Sequence, residues 1–524
     1  MPGSTRIYSQ ALAAFDRADW GETLRLATLL LAQSPNDGEM QFIAGVAALQ
    51  LQELPLARAC LQHATQLRPD RANYAAQYAR ALVISELMPE AIAVADLAMK
   101  SADGDATVYD TLGVVYTKAN AHGPAAKAFG HAVALAPRNA NYRFNLATSL
   151  MYYGDMDGAE REYETCLAID PSYWRGYLAL SQMRRQTPER NHLALFANRL
   201  EAAAHPDARL HLHLAMAKEL EDIGDFPAAF RHYTHGKSAY GALMGSSAET
   251  DAAVFNAIEG YFANPRSGPT GYDNAEPIFV IGMPRTGTTL VDRILSSHSE
   301  VQSAGELGHF ASALHRVGKV RARTLTESIT NLGRDFDDWR ELGRSYIEST
   351  RPVTGAAPHF IDKLPHNFLY AGFIARALPN AKLICVRRNP MDTCLSNFRQ
   401  LFAPESAYHR YSYDLLDTGK YFVHFDRLMR RWQQLFPERI LEVSYEQLVE
   451  SQESVTRQLL DFCGLKWEDA CMHFQSNEGP VPTASAVQVR SALNRSSLAR
   501  WKQYEPELRE LREFLEESGI RIHD

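Results

Sequence analysis

A single period of about 34 residues governs the first third of the chain. Small residues recur at Gly45, Ala79, Gly113 and Ala147, and alanines at Ala57, Ala91, Ala125 and Ala159. A third series runs Ala64, Ala98, Ala132 and Cys166, and all three series step by the same interval throughout. Prolines keep that interval at Pro35, Pro69, Pro137 and Pro171, with Asp103 in the remaining place. The second and third series lie seven residues apart, two helical turns, so they share one helix face. Small side chains there let neighbouring helices approach closely, and a proline just past each repeat stops the second helix.

This period and small-residue pattern resemble the tetratricopeptide repeat. The resemblance implies an all-α superhelix with a concave surface for peptide or protein segments. Packing against the rest of the chain, or dimerisation, is the alternative use of that surface. After Pro171 the frame slips: "GDFPAA" at Gly224–Ala229 echoes "GDMDGA" at Gly154–Ala159 two residues out of phase. Irregular helical pairs acting as a cap or adaptor are expected there. His232 and His235 lie three apart on such a helix with no carboxylate or thiol pattern beside them, which favours a solvated face over a metal site. A Gly/Pro-rich stretch, "NPRSGPTGYDNAEP" at Asn264–Pro277, reads as a linker. The expected organisation is a repeat domain over 1–245, a helix and linker over 246–277, and a second domain over 278–524.

The formal net charge of -8 gives no general attraction to nucleic acid or anionic membrane. The first twenty residues have no basic segment followed by an apolar core, so they do not read as a secretory signal. Nothing approaches the ~20 apolar residues of a membrane span. Six cysteines (Cys60, Cys166, Cys385, Cys394, Cys463 and Cys471) show no C-x-x-C spacing. They read as buried free thiols in a reducing compartment and argue against a zinc site. A cytoplasmic location is expected.

Beyond the linker, short apolar runs at Ile278–Ile281, Phe360–Ile361, Leu383–Val386 and Ile440–Val443 alternate with helical segments. That pattern predicts a central parallel sheet with covering helices, whose ligands sit at the carboxyl ends of strands. The four runs are followed by Arg285, Lys363, Arg388 and Tyr445, three cations and a phenol suited to an anion with several phosphate-like groups. The first run enters "GMPRTGTTL", a phosphate loop of the G-x-x-x-x-G-K-[ST] type with Thr288 in the lysine position. Without that lysine, and without a clear strand-end aspartate for magnesium, the loop suits a short anhydride better than a triphosphate–magnesium complex. Asp362 follows a strand but sits directly before Lys363. What remains to hold an anion is Arg285, Thr286, Thr288, Thr289 and the backbone at Gly287. A second anion site is built by "VRRNPMDTCLSNF", with Arg388 at a strand end and Ser396 eight residues later.

Strand–"GMPRTGTTL"–helix followed by "RNPMDTCLS" resembles the two signature segments of sulfotransferases that use 3′-phosphoadenosine 5′-phosphosulfate (PAPS). "DKLPHN", "SYEQLV" and "TASAVQVR" ahead of "RW" are similar to the same family, over Pro277 to about Tyr504. Within it the chain looks closest to tyrosylprotein sulfotransferases and to bacterial proteins joining tetratricopeptide repeats to such a domain. It departs from the former in having the repeats and lacking a membrane anchor. The resemblance implies an α/β phosphate-loop-like domain and a PAPS site at Arg285, Thr286, Gly287, Thr288, Thr289, Arg388, Ser396, Tyr445 and Arg490, with no metal. It implies a base at Glu306, 21 residues after Arg285, with Lys363, Arg285 and Ser485 beside the transferring group. His309 and His366 are the alternative bases. Tyr408–Tyr413 is the expected acceptor loop, and Tyr421–Phe425 is expected to be core.

The implied reaction moves sulfuryl to a hydroxyl: a protein tyrosine, or another peptide, saccharide or small-metabolite hydroxyl. Two-part scaffolds of this kind often form homodimers. A phosphate-loop kinase conflicts with Thr288 and the missing magnesium carboxylate. A non-catalytic adaptor predicts that PAPS does not bind.

Overall fold

The computed structural model describes residues 2–523 except 86, 103, 264–270, 321, 323, 334, 356, 404, 405, 478–492 and 494. It divides into two compact units, Met1–Arg184 and Arg185–Asp524.

The first unit is a stack of helix pairs. First helices begin at Gly38, Ala72, Ala106 and Ala140, and their partners at Leu54, Met88, His122 and Met156, both series keeping the interval read from sequence. Asp37, Asp105 and Asn139 cap three of the first helices by accepting from the backbone two residues on, at 3.1, 2.9 and 3.0 Å. Second helices end at Leu67, Leu135 and Ile169, two residues ahead of a proline. Ala57, Ala91, Ala125 and Ala159 are fully buried, which is why only a small residue recurs there. The first-helix glycines are tighter still. A Cβ on Gly113 would stand 2.5 Å from the Phe129 ring, and one on Gly45 2.6 Å from Leu61.

The second unit is α/β. Its sheet has five parallel strands: β1 (Pro277–Gly282), β2 (Val301–Ser303), β3 (His359–Asp362), β4 (Lys382–Arg387) and β5 (Ile440–Ser444), in the order β2-β3-β1-β4-β5. Four of these are the apolar runs read from sequence; β2, three residues long, carries no periodic signal and was not among them. β1 is buried at every position, as a central strand covered on both faces must be. The chain leaves β1 first for one side of the sheet and later for the other, so the crevice at the carboxyl ends of β1 and β4 is the switch point where α/β sheets bind ligands.

The division at Arg184 falls ahead of residue 245, where the repeat domain was expected to end. The helices Pro206–Asp222 and Phe226–Met244 pack on the α/β unit rather than extending the stack. Tyr504 donates to Glu221 at 2.8 Å, and Tyr240 stacks on Tyr413 with ring centres 5.4 Å apart. The buried Lys237 ammonium donates to the carbonyls of Gln400 and Ser412. Helical periodicity shows which face is apolar, not which neighbour covers it. His232 lies 3.0 Å from His213, nitrogen to nitrogen, and His235 is exposed. All six cysteines are buried and free. Among the described residues no helix is long and apolar enough to cross a membrane.

Candidate active site

The turn from β1 into the helix Thr288–Leu295 is shaped by backbone that side chains rarely permit. Gly282 has φ +146°, and a Cβ there would meet the Val386 carbonyl at 2.6 Å. Gly287 has φ +103°, and its Cβ would stand 2.5 Å from the Tyr445 ring. Both signature glycines are therefore obligatory. Between them Arg285, a non-glycine residue, holds φ +67°, a strained conformation of the kind that clusters at binding sites. Thr286 fastens the loop by donating to the Met283 carbonyl at 2.8 Å. The first bond of the following helix is Leu290 N–H to the Gly287 carbonyl, 2.9 Å. Thr288 and Thr289 therefore form the amino end of that helix, the pole that favours an anion.

Arg388 comes to the same loop from the end of β4. Its guanidinium donates to the carbonyls of Arg285, at 3.2 Å, and Ser497, lies over the Tyr445 ring with 4.9 Å to the centroid, and is 3.7 Å from Asp392. Its Nε is buried without a hydrogen-bond partner among the described residues. Tyr445 and Ser497 share a hydroxyl hydrogen bond of 2.7 Å. Ser396 is half-buried on the helix Pro390–Arg399 that follows Arg388. Burial, with Arg399 and Arg388 nearby, pushes the Arg285 guanidinium down to about 10. Crowded cations are what a bound dianion relieves.

On the other side of β1, Lys363 follows β3 and is buried, while Glu306 follows β2. Lys363 Nζ donates to Glu306 Oε1 at 2.5 Å, with the lysine side chain 3% and the glutamate 44% exposed. The loop holding Glu306 is pinned by Lys363 N–H to the Gly305 carbonyl, 2.8 Å, and by Leu307 N–H to Asp362 at 3.4 Å. Asp362 also accepts from Tyr346 at 2.9 Å, and burial raises its carboxyl to about 7. It is spent inside the protein and does not serve as a strand-end magnesium ligand.

The structure thus groups Arg285–Thr289 with Arg388 and Tyr445, and pairs Glu306 with Lys363. Ser485 and Arg490 lie outside the described residues. Of the alternative bases, His366 is buried, and burial with His409 beside it pushes its imidazole down to about 3; such a ring is neutral but too weak a base to compete. His309 opens the helix His309–Val317. In the expected acceptor loop Tyr411 and Tyr413 are core residues, and Tyr408 alone of the three tyrosines is exposed, with its hydroxyl 3.3 Å from that of Tyr370. Tyr421, Phe422 and Phe425 are buried, as expected.

Two residues that the sequence did not single out hold this arrangement. Asn397 donates to the Pro284 carbonyl at 2.8 Å and accepts from Tyr411 at 2.9 Å, tying the phosphate loop to the second anion segment. Glu221 receives Arg399 at 2.5 Å, together with Arg500 and the hydroxyls of Tyr233 and Tyr504. Their partners lie up to 283 residues away, so no local pattern could have shown them.

Residues 277–469 match the Sulfotransferase family. An uncharacterized protein of Aquifex aeolicus is 38% identical over 48% of this chain, which spans 34% of that protein. A putative protein-tyrosine sulfotransferase of Caenorhabditis briggsae is 26% identical over 43% of this chain and 80% of its own length. The sulfotransferase domain of the Synechococcus PCC 7002 olefin synthase shares 18% identity over 45% of this chain and 91% of that one, with a TM-score of 0.33. Residues 277–469 thus match the Sulfotransferase family, in a chain whose first unit is built of tetratricopeptide-type helix pairs.

Proposed function

We propose that this chain transfers a sulfuryl group from PAPS to an acceptor hydroxyl, a protein tyrosine or another peptide or saccharide hydroxyl, without a metal. The observation that carries the reading is the pairing of Glu306 with Lys363 beside a phosphate loop whose own lysine is replaced by Thr288. The loop residues fit the donor: Arg285, Thr286, Gly287, Thr288 and Thr289 would hold its 5′-phosphosulfate, and Arg388, Ser396 and Tyr445 its 3′-phosphate. The buried Nε of Arg388, unpartnered among the described residues, and the crowded guanidinium of Arg285 both call for an anion there. Arg490 and Ser485 complete the proposed set. The donor supplies a sulfuryl group already attached to a good leaving phosphate.

The chain's own residues do the rest. Glu306 accepts the acceptor hydroxyl's proton as that oxygen bonds to sulfur and the bond from sulfur to the phosphate oxygen breaks. Lys363 and Arg285 offset the charge that builds on the departing oxygen, from positions fixed before the reaction starts. Catalysis of this type rests on alignment and charge stabilisation more than on covalent chemistry. The repeat unit is proposed to bind peptide or protein acceptors on its concave face, and a cytoplasmic homodimer is the proposed form.

Incubating the full chain with radiolabelled PAPS and a library of tyrosine-, serine- and saccharide-bearing acceptors tests this. Label is expected on one acceptor class, with stoichiometric release of adenosine 3′,5′-bisphosphate. Phosphate transfer from ATP with magnesium, and none from PAPS, would establish the kinase reading instead.

A further inference from the structure

Glu221 lies on the helix Pro206–Asp222, outside residues 277–469, yet its carboxylate gathers the structure behind the second anion segment. Its Oε1 accepts from Arg399 at 2.5 Å and pairs with Arg500. Its Oε2 accepts from the hydroxyls of Tyr504 at 2.8 Å and Tyr233 at 3.1 Å. Two guanidiniums and two phenols thus share one carboxylate, whose side chain is 2% exposed. A buried charge satisfied by four donors is held rigidly. Rings pack around it: Tyr504 meets Phe226 and Phe230 with centres 5.3 and 6.2 Å apart, and Phe230 meets Phe398 at 6.0 Å.

The donors to Glu221 lead to Arg388 by two routes. Arg399 closes the helix Pro390–Arg399, which carries Ser396 and also Asp392, 3.7 Å from the Arg388 guanidinium. Arg500 and Tyr504 bound a short helical turn whose Trp501 N–H donates to Asp392 at 2.9 Å. Three residues before Arg500, the Ser497 carbonyl accepts from Arg388, and the Ser497 hydroxyl is 2.7 Å from that of Tyr445. The tie from this helix to the phosphate loop is separate, because Asn397 reaches Pro284 with Tyr411 as its other partner.

We propose that Glu221 is a positioning residue for the donor's 3′-phosphate, fixing both the helix that carries Ser396 and the segment that holds Arg388. The proposal rests on the transfer reading of this site. It makes the helix pair over 206–244 a working part of the donor site rather than a spacer ahead of it. An arginine grips a phosphate through a planar fork, so its orientation matters as much as its charge. Two groups that orient Arg388, the Ser497 carbonyl and Asp392, stand on elements that converge on Glu221. Without the carboxylate, two guanidiniums lose their anion and two phenols their acceptor, and both elements are released together.

The test is calorimetric titration of the full chain with two probes, adenosine 3′,5′-bisphosphate and adenosine 5′-monophosphate, which lacks the 3′-phosphate. The wild type is expected to bind the bisphosphate about tenfold or more tightly than the monophosphate. Glu221→Asp keeps the charge but withdraws the carboxylate by one methylene. It is expected to lower bisphosphate affinity about tenfold and to leave monophosphate affinity unchanged. A general loosening of the domain would weaken both probes alike, so an equal loss for both, or no loss for the bisphosphate, overturns the proposal. In an Arg388→Ala background the same substitution is expected to cost no further bisphosphate affinity, because the effect runs through that guanidinium; a full second loss there overturns it. If Glu221→Asp does not fold, Tyr504→Phe removes one donor to the carboxylate and leaves the charge. Its expected loss is about threefold and confined to the bisphosphate; an equal loss for both probes, or none, overturns the proposal. A wild type that binds neither probe, or does not distinguish them, overturns the donor-site reading itself. A discriminating wild type with an indifferent Glu221 overturns only this inference.

Discussion

Replacing Glu306 by glutamine is expected to lower the proposed sulfuryl transfer by about 10²–10⁴-fold, the range a positioned base contributes, while affinity for adenosine 3′,5′-bisphosphate is expected to stay near that of the wild type. The separation follows from where the residue sits. Glu306 extends from the loop after β2 and touches Lys363, whereas the proposed anion-binding groups gather across β1, at the phosphate loop and the end of β4. Glutamine keeps an oxygen for the Lys363 ammonium, so the lysine is not stranded and the loop stays in place. Glu306→Ala loses transfer to the same extent and adds a cost in stability, because the buried ammonium loses its partner. Single-turnover release of bisphosphate, set beside calorimetric affinity, separates the two quantities. Full turnover in Glu306→Gln would remove the residue from the chemistry.

Substituting Arg388 by alanine acts on the other quantity. Bisphosphate affinity is expected to fall by about 10–100-fold, since a charge-assisted hydrogen bond contributes about 1.5–3 kcal/mol and each 1.4 kcal/mol is a factor of ten. Part of the loss is indirect. Arg388 also holds the Arg285 carbonyl and the Ser497 carbonyl, so its removal loosens both the phosphate loop and the segment before Trp501. Arg388→Lys restores charge without the planar fork and is expected to recover only part of the affinity. Calorimetric titration of both variants checks this, and unchanged affinity in Arg388→Ala would detach the second anion segment from the ligand.

The parts of the molecule that were legible in sequence are those whose cause is local. Helix starts in the first unit keep one interval because the capping residues, the small contact residues and the prolines step together. The phosphate loop reads from its glycines because Gly282 and Gly287 each occupy a backbone conformation and a space that a Cβ cannot share. Four strands show as apolar runs because both faces of the sheet are covered. What stayed hidden depends on distant parts of the chain. Asn397 matters through Pro284, and Glu221 through Arg399 and Tyr504. The hairpin over 206–244 reads in sequence as irregular helical pairs acting as a cap or adaptor within the repeat domain, because its apolar faces are helical in period, and its contacts with Tyr413 and Tyr504 place it with the α/β unit. Tyr411 and Tyr413 looked available for an acceptor because the stretch is polar and broken, yet both are buried.

The phosphate loop without its lysine is proposed to form half of a sulfuryl-donor site. Calorimetric titration of the full chain with adenosine 3′,5′-bisphosphate, beside ATP with magnesium, tests it most directly. Saturable binding of the bisphosphate at one site per chain is expected, with no competition from ATP–magnesium. Tighter binding of ATP–magnesium, displacing the bisphosphate, would contradict it.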